Sequence, residues 1–120
     1  MGLFRRRRPS SSLESTGYPD EDKFLQHLAS LSPLSKPRTW DHRLYFTTEA
    51  GARTAAGTIE AAGWRIQRLD HSDDGSGWVV IATQDGVVTS VDAVRRAREF
   101  FDGIAASVPG GVYDGWEATV

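Results

Sequence analysis

Trp64-Arg-Ile-Gln-Arg-Leu-Asp-His-Ser-Asp-Asp-Gly-Ser-Gly-Trp-Val-Val-Ile-Ala-Thr83 is the stretch whose reading decides the fold. From Trp64 to Asp70 the chain sets Trp64 and Ile66 against Arg65 and Gln67, the period of a half-buried strand. His71 to Gly77 is a cluster of turn formers and reads as a hairpin loop. Trp78 to Thr83 is a near-continuous apolar run, as a central strand requires. Two strands joined by a short polar loop form an antiparallel hairpin in the middle of the chain.

Outward from that hairpin the two flanks mirror each other. On the N-terminal side, Thr48 to Ala62 places Ala52, Ala55, Ala56, Ile59 and Ala62 on one helical face, and Gly63 closes it as a C′ residue. Before that helix, Arg43 to Thr47 is rich in strand formers. On the C-terminal side, Gln84 to Ser90 turns the chain. Val91, Val94, Phe101, Ile104 and Val108 then form a helical stripe ended by Pro109, Gly110 and Gly111. Val112 to Val120 alternates again, with Trp116, Ala118 and Val120 on one face. The order β-α-β-β-α-β predicts an α+β, ferredoxin-like sandwich, one four-stranded antiparallel sheet with both helices on one face. Right-handed crossovers place the first and third strands in the middle.

The remainder of the 120 residues leads into this unit. Asp20 is a candidate N-cap, with Glu21 and Asp22 in a first turn that favours negative charge. Phe24, Leu25, Leu28 and Leu31 follow on one stripe, and Pro33 and Pro37 stop this short N-terminal helix. Residues 1–19, with Arg5 to Arg8 and a Ser run, hold too little apolar surface to offset ordering entropy and read as a disordered basic arm. The expected division is an arm over 1–19, a helix and Pro-containing linker over 20–40, and a domain over 41–120. Charge divides at the same place. Residues 1–40 carry +3 and residues 41–120 carry −5, which together give the net −2 of the chain.

Several classes fall away on composition. Without cysteine there is neither a disulfide framework nor a thiolate zinc site. No apolar run approaches the roughly 20 residues of a membrane span. Arg5 to Arg8 are followed by Pro9 and serines, not by the apolar core of a signal peptide. Position 6 is Arg where a myristoylation motif needs Ser or Thr. A cytoplasmic protein is expected.

Catalytic patterns are not found. His27, His42 and His71 lie far apart, without the spacing of metal ligands, and read as solvated or capping histidines. There is no Gly-x-Ser-x-Gly elbow, Walker loop or dinucleotide fingerprint. Asp73, Asp74 and Gly75 lack the alternation and terminal Glu of a calcium loop. Asp114 and Glu117 have no base or nucleophile beside them. No enzyme, metal or cofactor is expected.

Nucleic-acid binding by the sheet is disfavoured as well. Tyr45 and Phe46 sit on the first strand. The central third strand shows only Val79 and Ile81 on one face and Trp78, Val80 and Ala82 on the other, with no basic residue and no Phe/Tyr stacking pair. A body of charge −5 repels phosphate. Arg5, Arg6, Arg7 and Arg8 are the one candidate contact for RNA or an anionic membrane.

Gly110-Gly-Val-Tyr-Asp-Gly-Trp-Glu117 is the unusual segment. Gly115 inside a strand signals a bulge or a close backbone approach. Trp116 reads as core, Tyr113 as a half-buried amphipath, and Asp114 as an acceptor for local backbone N–H groups. An aromatic–acid–aromatic edge also suits a protein-binding strand.

Tyr113-Asp114-Gly115-Trp116, closing a helix–strand unit, resembles the terminal signature of the regulator of ribonuclease activity B family, the bacterial ribonuclease E inhibitor proteins. Leu44-Tyr45-Phe46, the Ala-rich helix ending at Gly63-Trp64 and the strand at Trp78 follow in the family's order, so the resemblance spans residues 41–120. Family members also carry a helix before the first strand, matched by residues 20–31. Val112 departs from the Glu that often precedes the Tyr, and the arginine-rich arm is no family feature. The resemblance implies a ferredoxin-like fold, no catalytic activity, and a protein partner, an endoribonuclease of the E/G type whose RNA cleavage is lowered. Tyr113, Asp114, Gly115 and Trp116 are then the partner-binding candidates, and the acidic body suits a basic scaffold segment. The alternatives are an RNA- or membrane-associating protein acting through Arg5 to Arg8, and a domain binding a small ligand between sheet and helices.

Overall fold

The computed structural model describes residues 15–119. The chain runs α1 (Pro19–Leu31), β1 (Arg38–Phe46), α2 (Glu49–Ala61), β2 (Arg65–His71), β3 (Trp78–Val87), α3 (Val91–Ser107) and β4 (Val112–Ala118). All pairings are antiparallel and the strand order is β2-β3-β1-β4. The fold is therefore α+β, a four-stranded antiparallel sheet with three helices, with β1 and β3 in the middle as expected.

Local chemistry starts the two crossover helices. Thr48 and Ser90 cap α2 and α3, each side chain accepting from the backbone N–H three residues on, Gly51 and Ala93. The small residues Ala52, Ala55 and Ala56 let α2 lie close over the sheet, with Ile59 as its one large buried side chain. α3 buries Val94, Ala97, Phe101, Ile104 and Ala105. These side chains share one core with Leu44 and Phe46 of β1 and Val80 and Ala82 of β3, so both helices cover the same sheet face. Burying a Leu, Ile or Phe of this kind contributes about 1.5–3 kcal/mol.

Three expectations need correction. β1 begins at Arg38, five residues before the expected Arg43, and residue 41 lies inside it. Its early inward positions are Arg38, Trp40 and His42, and two polar residues at buried sites break the apolar alternation that marks a strand. α1 is not capped by Asp20. Tyr18 is the N-cap, with Pro19 opening the first turn in a φ it already prefers. Asp22 instead turns back on the lead-in, accepting from Thr16 N (2.8 Å), Thr16 Oγ1 (2.9 Å) and Ser15 Oγ (2.6 Å). Residues 15–18 are thus tied to α1, and Thr16 is buried. The expectation for residues 1–14 lies outside the described residues.

α1 settles what covers the sheet. Leu25 and Leu28 join the core, and Phe24 stacks on Trp116 of β4 with ring centroids 4.4 Å apart. α1 therefore sits beside α3 on the helix-bearing side, next to the β4 edge. No helix of the described residues packs on the opposite sheet face.

Candidate functional site

The signature segment forms β4 and is split between the two faces of the sheet by a bulge. His42 pairs with Trp116 and Leu44 with Tyr113, so Asp114 and Gly115 together stand opposite the single residue Arg43. Gly115 has φ +97°, a conformation that L side chains rarely adopt, which accounts for glycine within the strand. The extra residue returns both aromatics to the helix side. Trp116 is 6% exposed and Tyr113 half-buried, while Asp114 is exposed.

On the helix side the two aromatics finish buried polar contacts. The Tyr113 hydroxyl lies 2.7 Å from His42 Nδ1. His42 is completely buried, stacked on Phe101 at 4.4 Å and ringed by Trp40 and Trp64. Its Nε2 has no hydrogen-bond partner among the described residues. Desolvation lowers its pKa to about 3, so the ring is neutral at pH 7. Burial likewise pushes the Tyr113 phenol up. The expectation of solvated or capping histidines thus fails at His42, which packs as an aromatic core residue. His27 and His71 are exposed, the latter 4.1 Å from the Trp78 ring.

Trp116 Nε1 donates to Glu21 Oε1 at 2.8 Å. Glu21 is 6% exposed, and desolvation raises its pKa although the Trp116 hydrogen bond and the Arg98 charge pull it down. Arg98 of α3 also donates to Asp102 at 2.8 Å and to Asp20 at 3.2 Å, and lies 4.4 Å over the Tyr18 ring. α1 is thereby fastened to β4 and α3 by one charge-assisted network. From the sequence, Glu21 reads only as a first-turn acid and His42 as a solvated or capping histidine. The signal was present in both cases. Glu21 heads the Glu21, Phe24, Leu25, Leu28 stripe, and His42 stands between Trp40 and Leu44 at strand period.

The other face is built differently. Asp41, Arg43 and Tyr45 of β1, Val79, Ile81 and Thr83 of β3, Arg65, Gln67, Arg68 and Asp70 of β2, and Asp114 and Glu117 of β4 belong to it. Val79, Ile81 and Thr83 are buried even though no helix lies above them. Their cross-strand neighbours include Tyr45, Arg43 and Arg68, whose long stems cover apolar surface. A groove of about 320 Å³ opens over Ile81 and is rimmed by Asp41, Arg43, Gln67, Asp114 and Glu117. Arg43 stands among the acids, its pKa raised by a side-chain hydrogen bond with Tyr45 and by the charges of Glu117 and Asp114. Asp41 accepts from Thr83 Oγ1 at 2.6 Å. On the β2 side the cations are paired, Arg65 with Asp85 at 3.0 Å and Arg68 with Asp73 at 3.5 Å.

Of the four partner-binding candidates, then, Asp114 and Gly115 lie along the groove while Tyr113 and Trp116 pack their rings on the far side. Tyr45 is on the open face, whereas Phe46 is buried on the helix side. Asp74 is held by its own loop, accepting from Ser76 N, Ser76 Oγ and Ser72 Oγ, which lowers its pKa to about 2. Among the described residues no group of three His, Asp or Glu side chains is placed to hold a metal ion, and no helix is long and apolar enough to cross a membrane. Arg5, Arg6, Arg7 and Arg8 lie outside the described residues. The open face can present carboxylates around a shallow apolar floor.

Compared with known proteins, residues 20–118 match the family model described as regulator of ribonuclease activity B. No curated protein gives a significant match.

Proposed function

The chain belongs to the regulator of ribonuclease activity B family, and on that premise we propose that it is a non-enzymatic cytoplasmic regulator that binds an endoribonuclease of the E/G type and lowers its cleavage of RNA. The observation that carries this reading is the extent of the match. It takes in every helix and strand of the described residues apart from Pro19. The strand order β2-β3-β1-β4, with two crossover helices on one face, supports reading the fold as ferredoxin-like.

The open sheet face is the contact surface in this proposal. Asp114 and Gly115 meet the partner from β4, and Tyr113 and Trp116 act from beneath by fixing the strand. Three carboxylates against one guanidinium around the groove favour a basic segment of the ribonuclease, and such complementarity speeds encounter more than it tightens binding. The test is a pull-down of the host's E/G-type ribonuclease on the immobilised chain, with a cleavage assay alongside. Retention at roughly micromolar concentration and low salt, weakening toward about 0.5 M salt, is expected. A ribonuclease that is neither retained nor slowed overturns the reading.

A further inference from the structure

The open sheet face lacks a partner within the described residues, and the chain itself holds a segment of matching chemistry outside them. We infer that this face is the docking site of the chain's own Arg5–Arg8 segment, held across Asp41, Asp114 and Glu117. The charge argument is specific to the β4 half of the face. There Arg43 alone faces three carboxylates, whereas Arg65 and Arg68 on the β2 half are already engaged by Asp85 and Asp73. Arginine suits such a site because its planar fork pairs with carboxylates in two parallel hydrogen bonds, and its weakly hydrated stem lies comfortably on apolar surface. Ile81 supplies that surface at the base of the groove.

The described chain starts in the right place. Ser15 is held to Asp22 at 2.6 Å, and the neighbouring Glu21 is bonded to Trp116 of β4 at 2.8 Å. Asp114 and Glu117 flank Trp116 in that strand. Because β4 is an edge strand, the route from Ser15 to the groove goes round one edge and does not cross the sheet. Arg8 is seven residues before Ser15, which spans at most about 25 Å when extended. A random coil of seven residues has an end-to-end distance of roughly 13–16 Å. A short tether of this kind gives an effective concentration in the millimolar range, so even a contact of about millimolar affinity is substantially occupied.

Docking of the arm stands independently of the ribonuclease. Its consequence rests on the proposed function: the arm and a basic segment of the partner compete for one surface, so the arm makes the regulator self-limiting. The absence of cysteine allows a unique spin label at Ser10→Cys in the full chain. At low salt the label should broaden the amide signals of Arg43, Ile81, Asp114 and Glu117 by at least about twofold relative to those of α2, with recovery near 0.5 M salt. The broadening should also vanish when Arg5 to Arg8 are all changed to Gln, and should persist on dilution. Broadening that spreads equally over both faces, survives high salt or the Gln changes, or disappears on dilution as docking to a second copy would, overturns the inference. A ribonuclease that fails to bind while the broadening pattern holds removes the proposed function and leaves the docked arm in place.

Discussion

Trp116 Nε1 donates a 2.8 Å hydrogen bond to the buried Glu21 carboxylate, joining the last strand to the first helix across 95 residues of chain. Phe24 stacks on the same indole, and Arg98 approaches the second Glu21 oxygen at 3.5 Å. The aromatic end of the signature is thus a structural clasp. Its indole faces away from solvent.

Trp116→Phe keeps an aromatic ring against Phe24 but leaves Glu21 without its indole donor. A buried carboxylate that loses a donor costs about 1–3 kcal/mol, and that loss should appear in the urea midpoint at unchanged slope. An unfolding free energy within about 0.3 kcal/mol of the parent's would mean that the hydrogen bond contributes nothing net.

His42 makes the protein sensitive to acid. The unfolded ring titrates near 6.5 and the folded ring at about 3, so between these values the unfolded state holds the extra proton. The stability due to the neutral ring is complete above the unfolded value and is lost as pH falls toward about 3. On the order of 5 kcal/mol is at stake over that window. Glu21 acts in the opposite sense, because its raised pKa means that the folded state holds the extra proton above 4.5. Denaturation midpoints should fall from pH 7 to pH 4 in the parent, and His42→Phe should flatten or reverse that slope. An unchanged slope in His42→Phe would falsify the assignment.

Gly115→Ala tests the bulge. At φ +97° an added Cβ meets no neighbouring atom, so the penalty is in the backbone alone. A loss of at least about 1–2 kcal/mol is expected. Thermal unfolding measures it, and an unchanged Tm would mean that the strand straightens at no cost.

Reversing Asp114 and Glu117 together to Lys should weaken ribonuclease retention by about tenfold or more. Both side chains are exposed, so the unfolding free energy should stay within about 0.5 kcal/mol of the parent. Retention equal to the parent's would place the contact surface elsewhere.

Much of the fold was legible because it rests on local patterns. The hairpin of β2 and β3 and the small-residue face of α2 each follow from a few adjacent residues. The start of β1 was not legible, since Arg38 and His42 occupy its inward positions. Arg38 is tolerated there because its guanidinium donates to the nearby carbonyls of Ser32 and Pro33 and to that of Thr119, which no local window joins to it. The candidate site was half legible. The Tyr113-to-Trp116 segment drew notice, but the bulge that sends its rings to one face and Asp114 to the other emerges only from the pairing with β1.

The sequence by itself determined the order of helices and strands and the acidic character of the body, because periodicity, turn chemistry and charge are properties of neighbouring residues. The tertiary structure decided which polar side chains go inside, and which sheet face no helix of the described residues covers. Burial of a charged or imidazole group is set by partners brought from distant parts of the chain, as Trp116 is to Glu21 and Tyr113 to His42. The same clasp holds α1 on the helix side, and with it the opposite face is left to Asp41, Asp114 and Glu117.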